Sequence, residues 1–194
     1  MTPDVEAAKK FYGELFGWSH EDRPAGEYGF YTMFSKGDVD VAGMGAQPPD
    51  RAGMPPVWNS YILVEDADAT TAKTAELAGT VIMPVMEVMD AGRMSIIQDP
   101  TGAFVSLWEA KEHGGAGTFN EQGALVWNEL LTRDQEQAKA FYGDLLGWTY
   151  EEMDLGGEIR IPPTDISVGR FAVVSDPQGG TFTLFKGNND PDME

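Results

Sequence analysis

The sequence contains no cysteine and only two histidines, His20 and His113, both in acidic stretches that are typical of loops. Without thiols the chain forms neither disulfides nor thiolate metal sites, and it has no cysteine nucleophile. Two histidines placed in this way do not complete a Ser-His-Asp or Cys-His set. Several large classes of hydrolase and thiol enzyme are thereby excluded.

Positive charge is also scarce, because 13 Lys and Arg residues face 32 Asp and Glu residues and leave a formal net charge of -19. Such a charge repels phosphate backbones and anionic lipids, so we expect neither nucleic acid nor membrane partners. The chain also lacks an apolar run of about eighteen residues and the pattern of a signal peptide. We therefore expect a cytoplasmic location.

What the sequence does contain is an internal repeat. The stretch "AKKFYGELFGW", Ala8–Trp18, returns 130 residues later as "AKAFYGDLLGW", Ala138–Trp148. Apolar residues recur at helical spacing in both copies, which predicts two amphipathic helices. Asp4 and Asp134 stand where a side chain caps a helix, and a glycine before each final Trp stands where a left-handed residue ends one.

A second repeat has an offset of 77 residues. It matches "VIMPVMEVMDAGRMSIIQDPTGAFVSLWE" from Val81 with "IRIPPTDISVGRFAVVSDPQGGTFTLFK" from Ile159. Each copy predicts three strands, with a turn at Asp-Pro-x-Gly before the last. A strand in "VWNSYILVED" and a helix in "ATTAKTAELAG" precede the first copy. The repeating unit is therefore βαβββ.

This βαβββ unit, with "FYxxLxGW" closing the helix and "DPxG" before the last strand, resembles the vicinal oxygen chelate superfamily. That superfamily contains glyoxalase I, bleomycin-resistance proteins and extradiol dioxygenases, and within it the chain is most similar to duplicated actinobacterial glyoxalase-like "hydroxylase" proteins. The resemblance implies an α+β fold in which repeated modules form curved mixed sheets and pair around a ligand cup.

The repeats also indicate what is missing. The fall of the offset from 130 to 77 means that the second half lacks 53 residues, about one module, and the first module starts at its helix without its first strand. Either the chain carries deletions or the sequence omits parts of a longer one. We expect a first half over residues 1–112, a linker over 113–123, and a second half over 124–194 as one hybrid βαβββ module that begins with the strand "LVWNELL". The resemblance implies that modules pair, so we predict that the unpaired third module makes the chain a homodimer.

The resemblance further implies a divalent metal held by His, Glu or Gln on first strands and by Glu on last strands. In this chain the corresponding positions are Asn59, Ser106, Trp127 and Thr183. Since none offers an imidazole or a carboxylate, we expect no metal and no cofactor. Glu109 and Glu129 lie close by in sequence and keep two alternatives open, a Mg or Ca site and acid-base catalysis.

Ligand-binding candidates lie on the same predicted strands. Trp58 and Trp127 offer stacking walls, and the asparagines that follow them, Asn59 and Asn128, offer amides; each has the alternative of packing or bonding backbone. Arg93 follows a glycine and either clamps an anion or pairs with an acid such as Asp90 or Asp99. The remaining two candidates are Tyr61 and Ser106.

We predict a metal-independent, glyoxalase-like protein that binds a small metabolite or drug in a cup between modules. An alternative is an enzyme of the superfamily, a lyase, an isomerase or a hydroxylase-like catalyst, that uses Glu129 or Glu109. A third is a folded scaffold without a ligand site.

Overall fold

The computed structural model describes residues 1–26, 29–49, 53–152, 158–167, 169–175 and 177–187. The chain divides into two compact units, Met1–Thr149 and Tyr150–Glu194. Helices and strands combine in a mixed α+β architecture with three separate sheets in the described part of the chain. The predicted fold class is confirmed.

The first module of the larger unit is a helix followed by an antiparallel sheet in the order β1-β2-β3. The elements are α1 (Val5–Phe16), β1 (Ser19–Pro24), β2 (Phe30–Lys36) and β3 (Val39–Gly45). Asp4 caps α1 by accepting a hydrogen bond from the backbone N–H of Ala7, and Gly17 ends it at φ 71°. Both helix-end predictions are confirmed for this copy. The apolar face of α1 packs on the buried side chains of Phe34, Val41 and Met44.

The second module contains a strand, a helix and three further strands. They are β4 (Tyr61–Leu63), α2 (Ala67–Glu76), β5 (Thr80–Val88), β6 (Gly92–Gln98) and β7 (Phe104–Ala110). The sheet order is β4-β7-β6-β5, with β4 parallel to β7 and the other neighbours antiparallel. This is the βαβββ order that the sequence predicts.

Helix α3 (Gln135–Leu146) packs on the same sheet as α2. Asp134 caps α3, Gly147 ends it at φ 74°, and the repeat prediction is confirmed for this copy also. The side chains of Phe141 and Leu145 join Ile97 and Leu107 in one buried core cluster. Burying a side chain of this size contributes about 1.5–3 kcal/mol, so the core fixes α3 against β6 and β7.

The smaller unit contains one antiparallel sheet in the order β10-β9-β8. Its strands are β8 (Glu158–Ile166), β9 (Gly169–Ser175) and β10 (Thr181–Gly187). They coincide with the three strands that the second repeat predicts. Among the strands that the structure describes, β10 has one neighbour in its sheet, β9.

Two local predictions are wrong. The stretch "LVWNELL" forms no strand: Leu125 makes an isolated bridge with Phe119, and no strand among the described residues completes a ladder with residues 126–131. His20 lies on strand β1 instead of in a loop, where its ring contacts Phe34. The units divide in sequence at Thr149 and Tyr150, and the predicted limits of the two halves stay a prediction.

The 113–123 segment is anchored on the first module although its composition is that of a linker. The indole N–H of Trp18 donates a 2.7 Å hydrogen bond to the carbonyl of Gly123. The ammonium of Lys36 lies 3.2 Å from the carboxylate of Glu121. These contacts fix the path of the chain between the second module and α3. No helix in the described residues is long and apolar enough to cross a bilayer.

Candidate functional site

The sheet that contains β4 has two chemically different faces. Side chains alternate along a strand, so every second residue of β7 points the same way. Val105 and Leu107 lie in the core beneath the helices, which places Ser106 on the opposite, helix-free face. Tyr61 of β4 is the direct neighbour of Ser106 in the parallel ladder and shares its face. The helix-free face therefore carries a phenol beside a buried hydroxyl.

The first module contributes a second tyrosine. Phe34 of β2 packs beneath α1, so Tyr31, three residues earlier, lies on the helix-free face of that sheet. Its ring crosses Gly43 of β3 so closely that a Cβ there would fall within 2.4 Å of the phenol oxygen. Glycine at this point of the strand is what lets the ring lie flat on its neighbour.

Tyr61 lies close enough to Tyr31 to affect its ionisation. Burial, followed by the charge of Tyr61, raises the pKa of Tyr31 to about 12. Burial also raises the pKa of Tyr61, and a hydrogen bond with the side chain of Ser106 partly opposes the change. Both phenols are consequently neutral near pH 7 and available as hydrogen-bond donors. Tyr31 and Tyr61 therefore lie on the helix-free faces of the two modules, with Tyr31 within range of the charge of Tyr61.

Arg93 and Glu109 do not lie on this face. The guanidinium Nη1 of Arg93 is 3.1 Å from Oε2 of Glu109, and the same oxygen accepts a 2.8 Å hydrogen bond from the backbone N–H of Ala67 at the start of α2. Arg93 also pairs with Asp68 and Glu87. The acid partners of Arg93 are therefore these three residues and not Asp90 or Asp99. The Arg93–Glu109 pair lies on the side of the sheet that the helices cover, where it connects α2 to the sheet.

A hydrogen bond joins the neighbourhoods of the two Trp-Asn segments. The hydroxyl of Ser60 donates a 3.1 Å hydrogen bond to the side-chain oxygen of Asn128. Trp58 donates its indole N–H to the hydroxyl of Tyr12 on α1, 3.0 Å away, and Trp127 is 78% exposed. The other two candidates from the sequence, Asn59 and Glu129, are exposed. Of all the candidates, the structure pairs Tyr61 with Ser106 and Arg93 with Glu109.

The residues at the family-type metal positions do not fit a divalent metal. Ser106 is 1% exposed and its hydroxyl contacts Tyr61, while Thr183 lies exposed on β10. Neutral hydroxyl and amide oxygens are weaker metal ligands than an imidazole nitrogen or a carboxylate, and an indole N–H is not a ligand. In the described ranges, no three His, Asp or Glu side chains lie together as a metal site would require. We derive no chemistry through a metal.

An open cleft of about 540 Å³ lies along α1, away from the two tyrosines. The buried ammonium of Lys9 is at its base, but Glu6 and Asp22 each lie 2.7 Å from it. Both carboxylates hold the pKa of Lys9 above its usual value, the hydrogen bond that Lys9 donates to Asp22 being the largest cause. With its charge neutralised in this way, Lys9 connects α1 to β1 and leaves little attraction for an anionic ligand.

Sequence reasoning missed Tyr31 as a site residue. The available signal was Gly43 and Gly45 in the strand "VDVAGMG", since a glycine inside a strand marks a close approach of another group. Tyr31 is the register partner of Gly45. Nothing in one sequence, however, indicates which ring makes that approach.

A family model described as the Glyoxalase/Bleomycin resistance protein/Dioxygenase superfamily matches residues 1–107. The chain belongs to this superfamily. It is 40% identical to "Putative glyoxylase CFP32" of Mycobacterium tuberculosis, with 96% of this chain and 92% of the relative covered. It is 35% identical to "Anthracycline biosynthesis protein DauV" of Streptomyces sp. strain C5, with 94% and 89% covered. Among solved structures, the 2,3-dioxygenase LapB of Pseudomonas sp. KL28 is similar at 15% identity and a TM-score of 0.46, with 98% and 91% covered.

The alignments also bear on the missing segment. The alignment with the mycobacterial relative is 239 positions long, and this chain has 194 residues, so at least 45 positions have no residue of this chain. The position of the shortened segment within the chain stays a prediction.

Proposed function

We propose that the chain binds a small organic molecule, a metabolite or a drug, without a metal. The ligand would contact the helix-free faces of the two modules at Tyr31, Tyr61 and Ser106. The observation that carries the proposal is that Tyr61 lies beside Ser106, which stands at the family-type metal position, with Tyr31 near enough for Tyr61 to raise its pKa. Aromatic walls with a few polar groups are typical of small-molecule sites.

The chemistry of these side chains favours a planar ligand that has oxygen acceptors. The phenol rings offer stacking surfaces, and their hydroxyls offer hydrogen bonds to a carbonyl or phenolic oxygen. Trp108, two residues after Ser106 on β7, contacts the ring of Tyr61 at 6.2 Å between centroids and extends the aromatic surface. A ring at this position is a useful reporter because bound aromatic ligands quench indole fluorescence.

The experiment is a titration of protein that has been treated with a chelator. An anthracycline serves as the first probe, since the name of one relative contains that class of compound. We expect saturable binding by calorimetry, unchanged by the chelator. Tyr61→Ala should weaken it about tenfold, because a lost aromatic contact together with a lost hydrogen bond is worth about 1.4 kcal/mol.

Phe11→Ala is the matched control, since Phe11 is a half-exposed aromatic residue on α1. It should leave the affinity unchanged. Binding that appears only when a divalent ion is added back would contradict the metal-independent proposal. Equal losses in the Phe11 and Tyr61 variants would contradict the proposed location.

Catalysis is a second candidate, supported by the 40% identity to a protein named a putative glyoxylase. Glu129 is the better placed of the two candidate carboxylates, since Glu109 is engaged by Ala67 and Arg93. Turnover of an aldehyde-thiol adduct that is lost in Glu129→Gln and kept in Glu109→Gln would support this function. No turnover by the unaltered chain, together with ligand binding, would leave binding as the function.

A further inference from the structure

The helix-free face of the four-stranded sheet continues beyond Tyr61 and Ser106 as an apolar surface. Residues directly opposite each other in a ladder point to the same side of a sheet, so the register extends this face from one strand to the next. Ser106 of β7 lies opposite Ile96 of β6, and Ile96 lies opposite Met83 of β5. One row across the four strands therefore consists of Tyr61, Ser106, Ile96 and Met83.

A second row lies beside the first on the same face. Trp108 of β7 lies opposite Leu63 of β4 on one side and opposite Met94 of β6 on the other. Met94 in turn lies opposite Met86 of β5. No helix covers this face, yet the four side chains at its β5 and β6 end are partly buried. We call them the methionine surface: Met83, Met86, Met94 and Ile96.

The indole of Trp108 forms a fixed wall beside the methionine surface. Its ring crosses Gly92 of β6, where a Cβ would fall 2.5 Å from a ring carbon. Its N–H donates a 2.9 Å hydrogen bond to the carbonyl of His113. Because this donor is already engaged, the indole offers a ligand its aromatic ring and not a hydrogen bond.

The methionine surface is uncharged in a chain whose net charge is -19. The strands β4 to β7, all of them within the described residues, carry three charged side chains, those of Glu87, Arg93 and Glu109. These three lie opposite one another in a single row on the helix side of the sheet. The helix-free face of these strands therefore has no cation for an anionic ligand.

The sheet of the first module does not supply that cation either. Arg23 of β1 lies opposite Tyr31 and shares its helix-free face. Its guanidinium, however, lies 2.9 Å from the carboxylate of Glu21 and 3.5 Å from that of Asp40. An anion that left water for this site would lose its hydration and gain no uncompensated positive charge in exchange.

We propose that the methionine surface is a second subsite, which takes the uncharged polycyclic aromatic body of the ligand while Tyr61 and Ser106 bind its oxygen. The proposal rests on the proposed function and adds the class of ligand, from which anions are excluded. Thioethers are polarizable and flexible, so they make favourable contacts with aromatic rings of different outline. The surface is continuous with Tyr61 and Ser106, which assigns it to the ligand and not to a protein partner.

Two probes that share a ring system and differ in charge test the ligand class. They are hydroxymethylanthraquinone and anthraquinone carboxylate, titrated by calorimetry. We expect the neutral probe to bind about tenfold more tightly, and Met94→Lys to reverse that order by placing a cation on the surface. Met86→Lys makes the same change from the opposite strand if Met94→Lys does not fold. Equal affinities for the unaltered chain, or folded lysine variants that still prefer the neutral probe, overturn the proposal.

Peroxide oxidation locates the bound ring without any substitution. Peroxide converts an accessible thioether to a sulfoxide, which peptide mass spectrometry detects at each methionine separately. We expect the neutral probe at saturation to slow the oxidation of Met86 and Met94 severalfold. Met89 is the internal control, because it is 57% exposed in the turn between β5 and β6, and its oxidation should not change. Unchanged oxidation of Met94 under bound probe overturns the subsite.

Alanine variants separate this proposal from the proposed function. Met94→Ala should weaken the neutral probe about fivefold, the size of a lost contact between a thioether and an aromatic ring, and Met89→Ala should have no effect. A probe that Tyr61→Ala weakens and Met94→Ala does not would leave the proposed function standing and overturn the second subsite. No binding of any aromatic probe overturns both. A change of oligomeric state in Met94→Lys by light scattering, without a change in probe affinity, would show that protein covers the surface.

Discussion

Removing the hydroxyl of Tyr142 tests whether the repeated Asp-Pro-x-Gly turn depends on α3. Tyr142 donates a buried 2.9 Å hydrogen bond to Oδ2 of Asp99, whose other oxygen accepts from Thr101 and from the backbone N–H of Ala103. Asp99 is 3% exposed, so water does not readily replace the lost donor. Tyr142→Phe therefore leaves a carboxylate oxygen buried with one partner fewer.

A hydrogen bond to a charged group is worth about 1.5–3 kcal/mol, so we expect a loss of about 2 kcal/mol in the free energy of unfolding. For a chain of this size that lowers Tm by about 4–8 °C. Tyr12→Phe is the matched control, because Tyr12 occupies the same place in the first copy of the helix repeat. Its hydroxyl accepts an exposed hydrogen bond from Trp58, and the loss of this bond should cost about 0.5 kcal/mol or less.

Tryptophan fluorescence is the appropriate measurement, because all five tryptophans lie in the Met1–Thr149 unit that contains both tyrosines. Thermal unfolding followed at this signal reports that unit alone. The reasoning is refuted if the two variants lower Tm equally, since the buried bond would then contribute no more than the exposed one.

Three further predictions concern Gly43, Tyr31 and Arg93. Gly43→Ala should displace the ring of Tyr31 and weaken ligand binding as Tyr31→Ala does, with a small change in Tm, as calorimetry and thermal unfolding can show. Because the pKa of Tyr31 is raised in the folded state, the stability that its neutral phenol contributes is complete below pH 10 and is lost as pH rises to about 12. Denaturant unfolding across that range should show a smaller fall in the free energy of unfolding for Tyr31→Phe than for the unaltered chain. Arg93→Gln should lower Tm and leave ligand affinity unchanged, because Arg93 and Glu109 lie beneath α2; a loss of affinity would place Arg93 at the ligand.

Much of the fold follows from local signals in the sequence. The helix ends at Gly17 and Gly147 were predictable because a left-handed terminus favours glycine, and Asp4 and Asp134 were predictable as caps. The strands β5 to β7 and β8 to β10 were predictable from alternation and from the Asp-Pro-x-Gly turn. These signals depend on a residue and its close neighbours in the chain.

The features that could not be predicted depend instead on residues that are distant in the sequence. "LVWNELL" has the composition of a strand, but a strand forms only beside another, and the sequence does not reveal whether a neighbour is present. Arg93 and Glu109 were expected near the cup because position along a strand was known and the face was not. A shift of one residue exchanges the two faces of a strand, so counting alone could not separate Ser106 from Glu109.

The packing of α3 on the sheet of another module has a consequence for how such chains change over time. Copies of one building block offer similar apolar surfaces, so a helix of one copy can bury its apolar face on the sheet of another, as α3 does on β6 and β7. Internal duplication thus gives such a chain more than one place to bury the same helix. A protein built from unrelated parts has no such spare surface.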